Sequence, residues 1–63
     1  MRYPYTVYVT DADGLCIARV PVKTTDPTEA AIRAIRCLDD RDRATVRGIV
    51  TLNHLTEETT RVR

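Results

Sequence analysis

The stretch Asp26-Pro27-Thr28-Glu29-Ala30-Ala31-Ile32-Arg33-Ala34-Ile35-Arg36-Cys37-Leu38 decides the architecture. Asp26 can accept from the N–H groups of a first helical turn, Pro27 fits the first position, where no donor is needed, and Glu29 can reach back to the cap. Behind this start, Ala31, Ala34, Ile35 and Leu38 share one stripe at helical spacing, with Glu29, Arg33 and Arg36 opposite. The stretch predicts one amphipathic helix whose apolar face needs a cover.

On its N-terminal side, Tyr5-Thr6-Val7-Tyr8-Val9-Thr10 alternates with period two, Tyr5, Val7 and Val9 on one face and Thr6, Tyr8 and Thr10 on the other. Asp11-Ala12-Asp13-Gly14 supplies turn chemistry, and Leu15 to Val22 reads as the returning arm of a hairpin, with Leu15, Ile17, Arg19 and Pro21 on one face. Pro21 cannot donate to a ladder, which predicts an edge position or a bulge. On the C-terminal side, Asp39-Asp40-Arg41-Asp42-Arg43 is wholly charged. Carboxylates there oppose the helix dipole, so the helix is expected to end between Leu38 and Asp40 and a loop to follow. Ala44 to Leu52 is strand-like, with Val46, Val50 and Leu52 expected inward, Arg47, Ile49 and Thr51 outward, and Gly48 weakening the strand or marking a bulge. Thr59 to Arg63 is expected to return as a short, polar fourth strand suited to an edge.

These elements compose an α+β domain, β-β-α-β-β, with one helix packed on one face of a four-stranded antiparallel sheet. A right-handed crossover through the helix would give the spatial order 2-1-3-4. The expected core is Tyr5, Val7, Val9, Val20, Val22, Ala31, Ala34, Ile35, Leu38, Val50 and Leu52. The far face, lined by Thr6, Tyr8, Thr10, Ile17, Ile49 and Thr51, would stay bare for a second copy or a partner to bury.

At 63 residues the chain is a single domain close to the lower limit for independent folding. Its 43% apolar and 30% charged residues are those of a folded globular protein rather than a disordered one. No apolar run approaches the roughly 18 to 20 residues that cross a bilayer, and Met1 to Tyr5 does not resemble a secretory leader, so a cytoplasmic setting is expected. The two cysteines, Cys16 and Cys37, are expected as buried or half-buried thiols. A net charge of +1 excludes an acidic mimic of DNA and an avid nonspecific nucleic-acid binder.

Chemical constellations are sparse. Asp11-Ala12-Asp13-Gly14 has the start of a calcium loop, but the twelfth position is Val22 instead of Glu, and turn chemistry accounts for it. Asp39, Asp40 and Asp42 are interleaved with Arg41 and Arg43, which supply compensating charge. Cys16, Cys37 and His54 lack the closely spaced ligand pairs of a zinc site, and nothing in their spacing joins His54 to a thiol as base and nucleophile. No catalytic residue, metal site or cofactor is expected, and the chain is read as not an enzyme.

The candidate contact residues are Tyr8, Arg33, Arg36, Arg41, Arg43 and Arg47. Tyr8 points away from Tyr5, and an aromatic ring with a polar tip suits an interface; a cross-strand pair with Ile17 or Ile49 is the alternative. The arginines can track phosphates or pair on a solvated helix face, Glu29 with Arg33 and Asp40 with Arg36. Arg61 and Arg63 form a second basic group beside the edge strand.

Residues Tyr5 to Leu38, a strand ending in Asp11-Ala12-Asp13-Gly14, a return strand ending near Pro21 and Thr28-Glu29-Ala30-Ala31 at the helix start, resemble the N-terminal part of HicB-type antitoxins. That family carries a further strand and a Gly-Cys segment before its helix, and continues into a DNA-binding domain; none of these is found here. In size and layout the chain also resembles small phage-encoded anti-defence proteins, including anti-CRISPR proteins with one helix on an antiparallel sheet. This second resemblance implies stoichiometric inhibition of a nucleic-acid-targeting complex without chemistry. The expectation is thus a binding or inhibitor module with a protein partner, possible self-association through the sheet face or edge, and a small nucleic-acid-binding domain as the alternative.

Overall fold

The computed structural model describes residues 1–62 of the chain; Arg63 lies outside them. Its elements are β1 (Tyr3–Thr10), β2 (Cys16–Thr24), α1 (Pro27–Arg36), α2 (Asp40–Thr45), β3 (Gly48–Asn53) and β4 (Thr59–Val62). The strands form one antiparallel sheet in the order β2-β1-β3-β4, which makes the N-terminal strand central and places Pro21 on an edge strand.

The β1–β2 turn is held by Asp11. Its Oδ1 accepts from Asp13 N at 2.9 Å and Leu15 N at 3.0 Å, while Gly14 takes a positive φ of 81°. The ladder slips between Val9 and Thr10: Val9 faces Ala18, Thr10 faces Cys16, and Ile17 becomes the extra residue of a bulge. This returns Ile17 to the core, against the face that strict alternation assigned it. Of the two expectations for Pro21 the edge position is the one observed; Pro21 pairs in register with Thr6, without a bulge.

α1 starts as its sequence dictates. Asp26 Oδ1 accepts from Glu29 N at 2.8 Å, with Pro27 at the first position. The reciprocal half of the cap is not made; the Glu29 carboxylate turns instead to Arg33 Nε, 3.2 Å away. The helix closes on Cys37, whose N–H donates to Ala34 O at 3.1 Å. Ala30 and Ala34 are its fully buried residues and Leu38 follows just beyond its end, so the buried stripe is rotated toward Ala30, and Ala31 is only partly covered.

The single helix of the sequence reading is corrected to two. The charged run 39–43 is not a loop, because Asp39 Oδ1 accepts from Asp42 N at 2.8 Å and caps α2 as Asp26 caps α1. Asp40 and Asp42 oppose the dipole at the end of one helix but favour it at the beginning of the next.

β3 is also corrected. It begins at Gly48, and Tyr5, Val7 and Val9 stand opposite Asn53, Thr51 and Ile49, so Ile49 and Thr51 face the helix while Val50 and Leu52 face away. Thr51 and Asn53 are buried. A one-residue change of phase turns every side chain over, and Val46 to Leu52 has apolar residues at both phases. Two contacts favour the observed one. Asn53 Oδ1 accepts from Leu55 N at 2.9 Å and Thr56 N at 3.2 Å, which organises the β3–β4 turn. Gly48 lies where a Cβ would stand 2.7 Å from Thr10 Oγ1, so it serves close approach and marks no bulge. The core is accordingly Tyr5, Val7, Val9, Ala30, Ala34 and Leu38, with Val20, Val22, Ile35, Val46 and Ile49 packed against it.

Candidate binding surfaces

α1 packs on the face of the sheet that carries Val7 and Val9. The other face is read from the pairing. One cross-strand row runs Arg19, Tyr8, Val50, Arg61; the next runs Pro21, Thr6, Leu52, Thr59; and Lys23 stands beside Pro4. His54 joins this end, its backbone N–H donating to Pro4 O at 2.9 Å and its ring hydrogen-bonded to Thr6 Oγ1. The centre is half-buried Tyr8, Thr6, Val50 and Leu52, and Arg19, Lys23, His54 and Arg61 are exposed around it.

The charge is segregated. Arg19, Lys23 and Arg61 are the charged residues of the four strands, and all three lie on this open face. No strand contains Asp or Glu; the nine acidic residues sit in the two hairpin turns and in the segments that cap and build α1 and α2. A depression of about 310 Å³ opens on this side between the ends of β1 and β2, lined by Pro4, Thr6, Pro21, Lys23 and His54 among others.

The arginines of the helical layer are arranged differently. Arg33 binds Glu29 and reaches Lys23 O at 3.4 Å. Arg43 donates to Leu38 O at 2.7 Å and pairs with Asp40 at 3.4 Å, so the expected pair of Asp40 with Arg36 is not formed. Arg47 donates to Ala44 O and Val46 O at 3.2 and 2.8 Å, satisfying carbonyls at the end of α2. Arg36 and Arg41 are exposed and make no ion pair among the described residues. Tyr8 lies on the opposite side of the sheet from α1, so the structure does not bring the six candidate residues into one site.

Between α1 and the β3–β4 half of the sheet runs a groove of about 410 Å³, lined chiefly by Pro27, Ala31, Ile32, Ile35 and Ile49, with Thr51 and Thr60 below and Arg36 at the rim. Neither this groove nor the clustering of Arg19, Lys23 and His54 with Tyr8 was foreseen from sequence. The alternation of Arg19, Pro21 and Lys23 in β2 carried part of the signal; their proximity to Arg61 and His54 depends on sheet order.

The thiols are corrected to exposed: Cys16 lies at the start of β2, donating to Ala18 O at 3.3 Å, and Cys37 caps α1 facing outward. Cys16 is opposite Thr10 and His54 is beside Pro4, which separates them by about 20 Å along β1. Among the described residues no three His, Cys, Asp or Glu side chains gather as metal ligands, and no helix is long and apolar enough to cross a membrane. No family model, curated protein or solved structure matches this chain.

Proposed function

We propose that the protein is a non-catalytic binding module whose working surface is the open sheet face, and that this face docks on an acidic protein surface. The observation that carries the reading is the charge segregation: every charged strand residue is a cation on the open face, ranged around Tyr8. An apolar, half-buried centre with a cationic rim is the layout in which the centre supplies affinity and the rim supplies orientation and association rate. Tyr8 is the anchor, because an aromatic ring loses little entropy on binding and buries a large area.

Such a module acts by occupying a surface. In a phage or mobile-element setting this suits an inhibitor that covers an acidic docking site of a nucleic-acid-targeting defence complex. A cytoplasmic setting agrees with this use, since exposed Cys16 and Cys37 would stay reduced there. The cations of the open face repel a second copy placed face to face, so self-association would use an edge strand.

The test is a pull-down from the native host with the full chain, repeated with Tyr8→Ala and with Arg19→Glu/Arg61→Glu. A partner held by wild type, released by both variants and retained by Arg41→Glu is expected. A partner indifferent to the sheet substitutions would overturn the reading.

A second reading has its own observation. Tyr8 stands in one row between Arg19 on β2 and Arg61 on β4, an aromatic platform between cations that suits a stacked base and its phosphates. Band shifts with single-stranded DNA and RNA at two salt concentrations separate the two: a shift at low salt that weakens steeply with salt and disappears in Tyr8→Ala selects nucleic acid.

A further inference from the structure

The sheet has two edges, and its register closes one of them. His54 N–H donates to Pro4 O, so the main-chain groups of Pro4, Thr6 and Tyr8 point to β3 and those of Tyr3, Tyr5, Val7 and Val9 point to β2. The β2 partners of this second set, Ala18, Val20, Val22 and Thr24, are thereby tied to β1, which leaves Arg19, Pro21 and Lys23 facing outward. Pro21 has no N–H to offer in the middle of that row, and Lys23 O already accepts from Arg33 Nη1 at 3.4 Å. β2 is a poor template for another strand.

β4 has no such protection. Asn53 N–H donates to Glu58 O, so the main-chain groups of Thr51 also turn toward β4, where they meet Thr60. Thr59 and Arg61, both exposed on the last strand of the sheet, therefore present their N–H and C=O groups to the outside. The segment carrying this edge is also its own complement. Glu57-Glu58-Thr59-Thr60-Arg61 begins acidic and ends basic, so an antiparallel copy lays the acidic start of one strand along the basic end of the other. Matching outward residues to outward residues sets Thr59 opposite Arg61 and Thr60 opposite Thr60 on a two-fold axis. Arg61 then lies diagonal to Glu57 of the second copy, within reach of a long side chain. The neighbouring register opposes Arg61 to Arg61 and is disfavoured by like charge.

We propose that two copies of the chain pair through β4, antiparallel about a two-fold axis at Thr60, and join their four-stranded sheets into one. Because β2 is closed, the assembly stops at two copies instead of growing into a fibre. The contact is short, Thr59–Val62, and a single strand pair buries far less than the roughly 1,200 Å² at the lower end of standard interfaces. The dimer is accordingly weak and concentration-dependent. The inference does not rest on the open-face reading: pairing at this edge leaves Tyr8 and its cations uncovered in both copies.

The experiment is light scattering of the full chain over a concentration series reaching about 1 mM, in which monomer is expected to give way to dimer and to nothing larger. Arg61→Pro removes an outward donor and leaves the ladder to β3 intact, so it should weaken the dimer at least about tenfold while the dilute protein melts near the wild-type temperature. Glu57→Arg and Arg61→Glu should each weaken it, and the two in one chain should restore it, since the exchange keeps opposite charges diagonal. Where the proline variant fails to fold, cross-linking reads the same geometry. In a chain with Cys16→Ser and Cys37→Ser, Thr60→Cys should oxidise to a disulfide dimer, because a pair facing across the axis stands about 4.5 Å apart at Cα. Thr59→Cys in that background should not, being diagonal to its own copy at about 7 to 8 Å. Three results would overturn the proposal: a monomer at every concentration, a dimer indifferent to Arg61→Pro and to the charge exchange, or Thr59→Cys cross-linking as readily as Thr60→Cys.

Discussion

The two faces of the central strand differ by one residue step and by everything that follows from it. Tyr5, Val7 and Val9 are buried under α1; Thr6, Tyr8 and Thr10, alternating with them along β1, are half-buried on a face that no other element covers among the described residues. The first face holds the core and the second holds all three charged residues of the strands. The difference teaches that one face is spent on folding and the other is left uncovered by the described elements, and that in a domain of 63 residues there is only enough apolar material for one covered face.

The sharpest way to break this comparison is to remove the same two methyl groups from each side. Val7 has no exposed surface, and Val7→Ala should cost about 2 kcal/mol through lost burial and the cavity left behind. Val50, opposite Tyr8 on the open face, should cost well under about 1 kcal/mol for the same change. Urea unfolding of both variants reads the difference. Equal losses would mean that the open face is covered in solution, and the division of labour between the faces would fail.

A smaller effect tests how β3 chooses its phase. Gly48 brings its backbone against Thr10, where an added Cβ would meet Thr10 Oγ1 at 2.7 Å and disturb the hydrogen bond from that hydroxyl to Gly48 O, now 3.2 Å. Gly48→Ala should destabilise by about 1 to 2 kcal/mol, and Thr10→Ala in the same chain should recover part of it, a coupling that a double-mutant cycle measures. Additive losses would show that the close approach does not matter.

This position also shows why part of the fold was legible in sequence and part was not. β1 could be read because Tyr5, Val7 and Val9 recur at period two with Thr6 and Thr10 on the other phase, and α1 because Asp26 and Pro27 define its first turn chemically. Val46 to Leu52 could not be oriented, since Val46, Ile49, Val50 and Leu52 are apolar at both phases; the choice lies with Gly48 and Thr51, whose partners Thr10 and Val7 are distant in sequence, and with Asn53, whose turn contacts are local but give no phase by alternation. α2 was legible in principle, because Asp39 with Asp42 repeats the cap geometry of Asp26 with Glu29, but its carboxylates were read against the helix before them. Of the candidate surface, Tyr8 could be placed from alternation alone. Arg19, Lys23, His54 and Arg61 come from three separate segments and meet only through the order β2-β1-β3-β4.

The two caps should differ although their hydrogen bonds are equally long, 2.8 Å from the backbone N to Asp Oδ1 in both. Asp26→Ala loosens the helix that covers the core and should cost about 1 kcal/mol. Asp39→Ala frays a six-residue helix with no buried residue, and its cost should be nearer about 0.5 kcal/mol, the low end for caps. Thermal melts of the pair check the ranking; a larger loss at Asp39 would show that α2 supports the core through Leu38 and Val46.

The smallest expected effect is a gain. Glu57 has a φ of 62°, a left-handed conformation that costs an L side chain about 1 kcal/mol, and it keeps that conformation while its N–H donates to Asn53 O at 2.8 Å. Glycine removes the strain but costs more backbone entropy on folding, roughly 0.5 to 1 kcal/mol. Glu57→Gly should therefore raise stability by no more than about 0.5 kcal/mol, a rise in melting temperature of about 2 to 4 °C for a domain of this size. The turn it relaxes joins β3 to β4. Thermal melts check the sign: a gain marks the strain as a local consequence of a short hairpin, and a loss would show that the backbone entropy Glu57 saves outweighs the strain it carries.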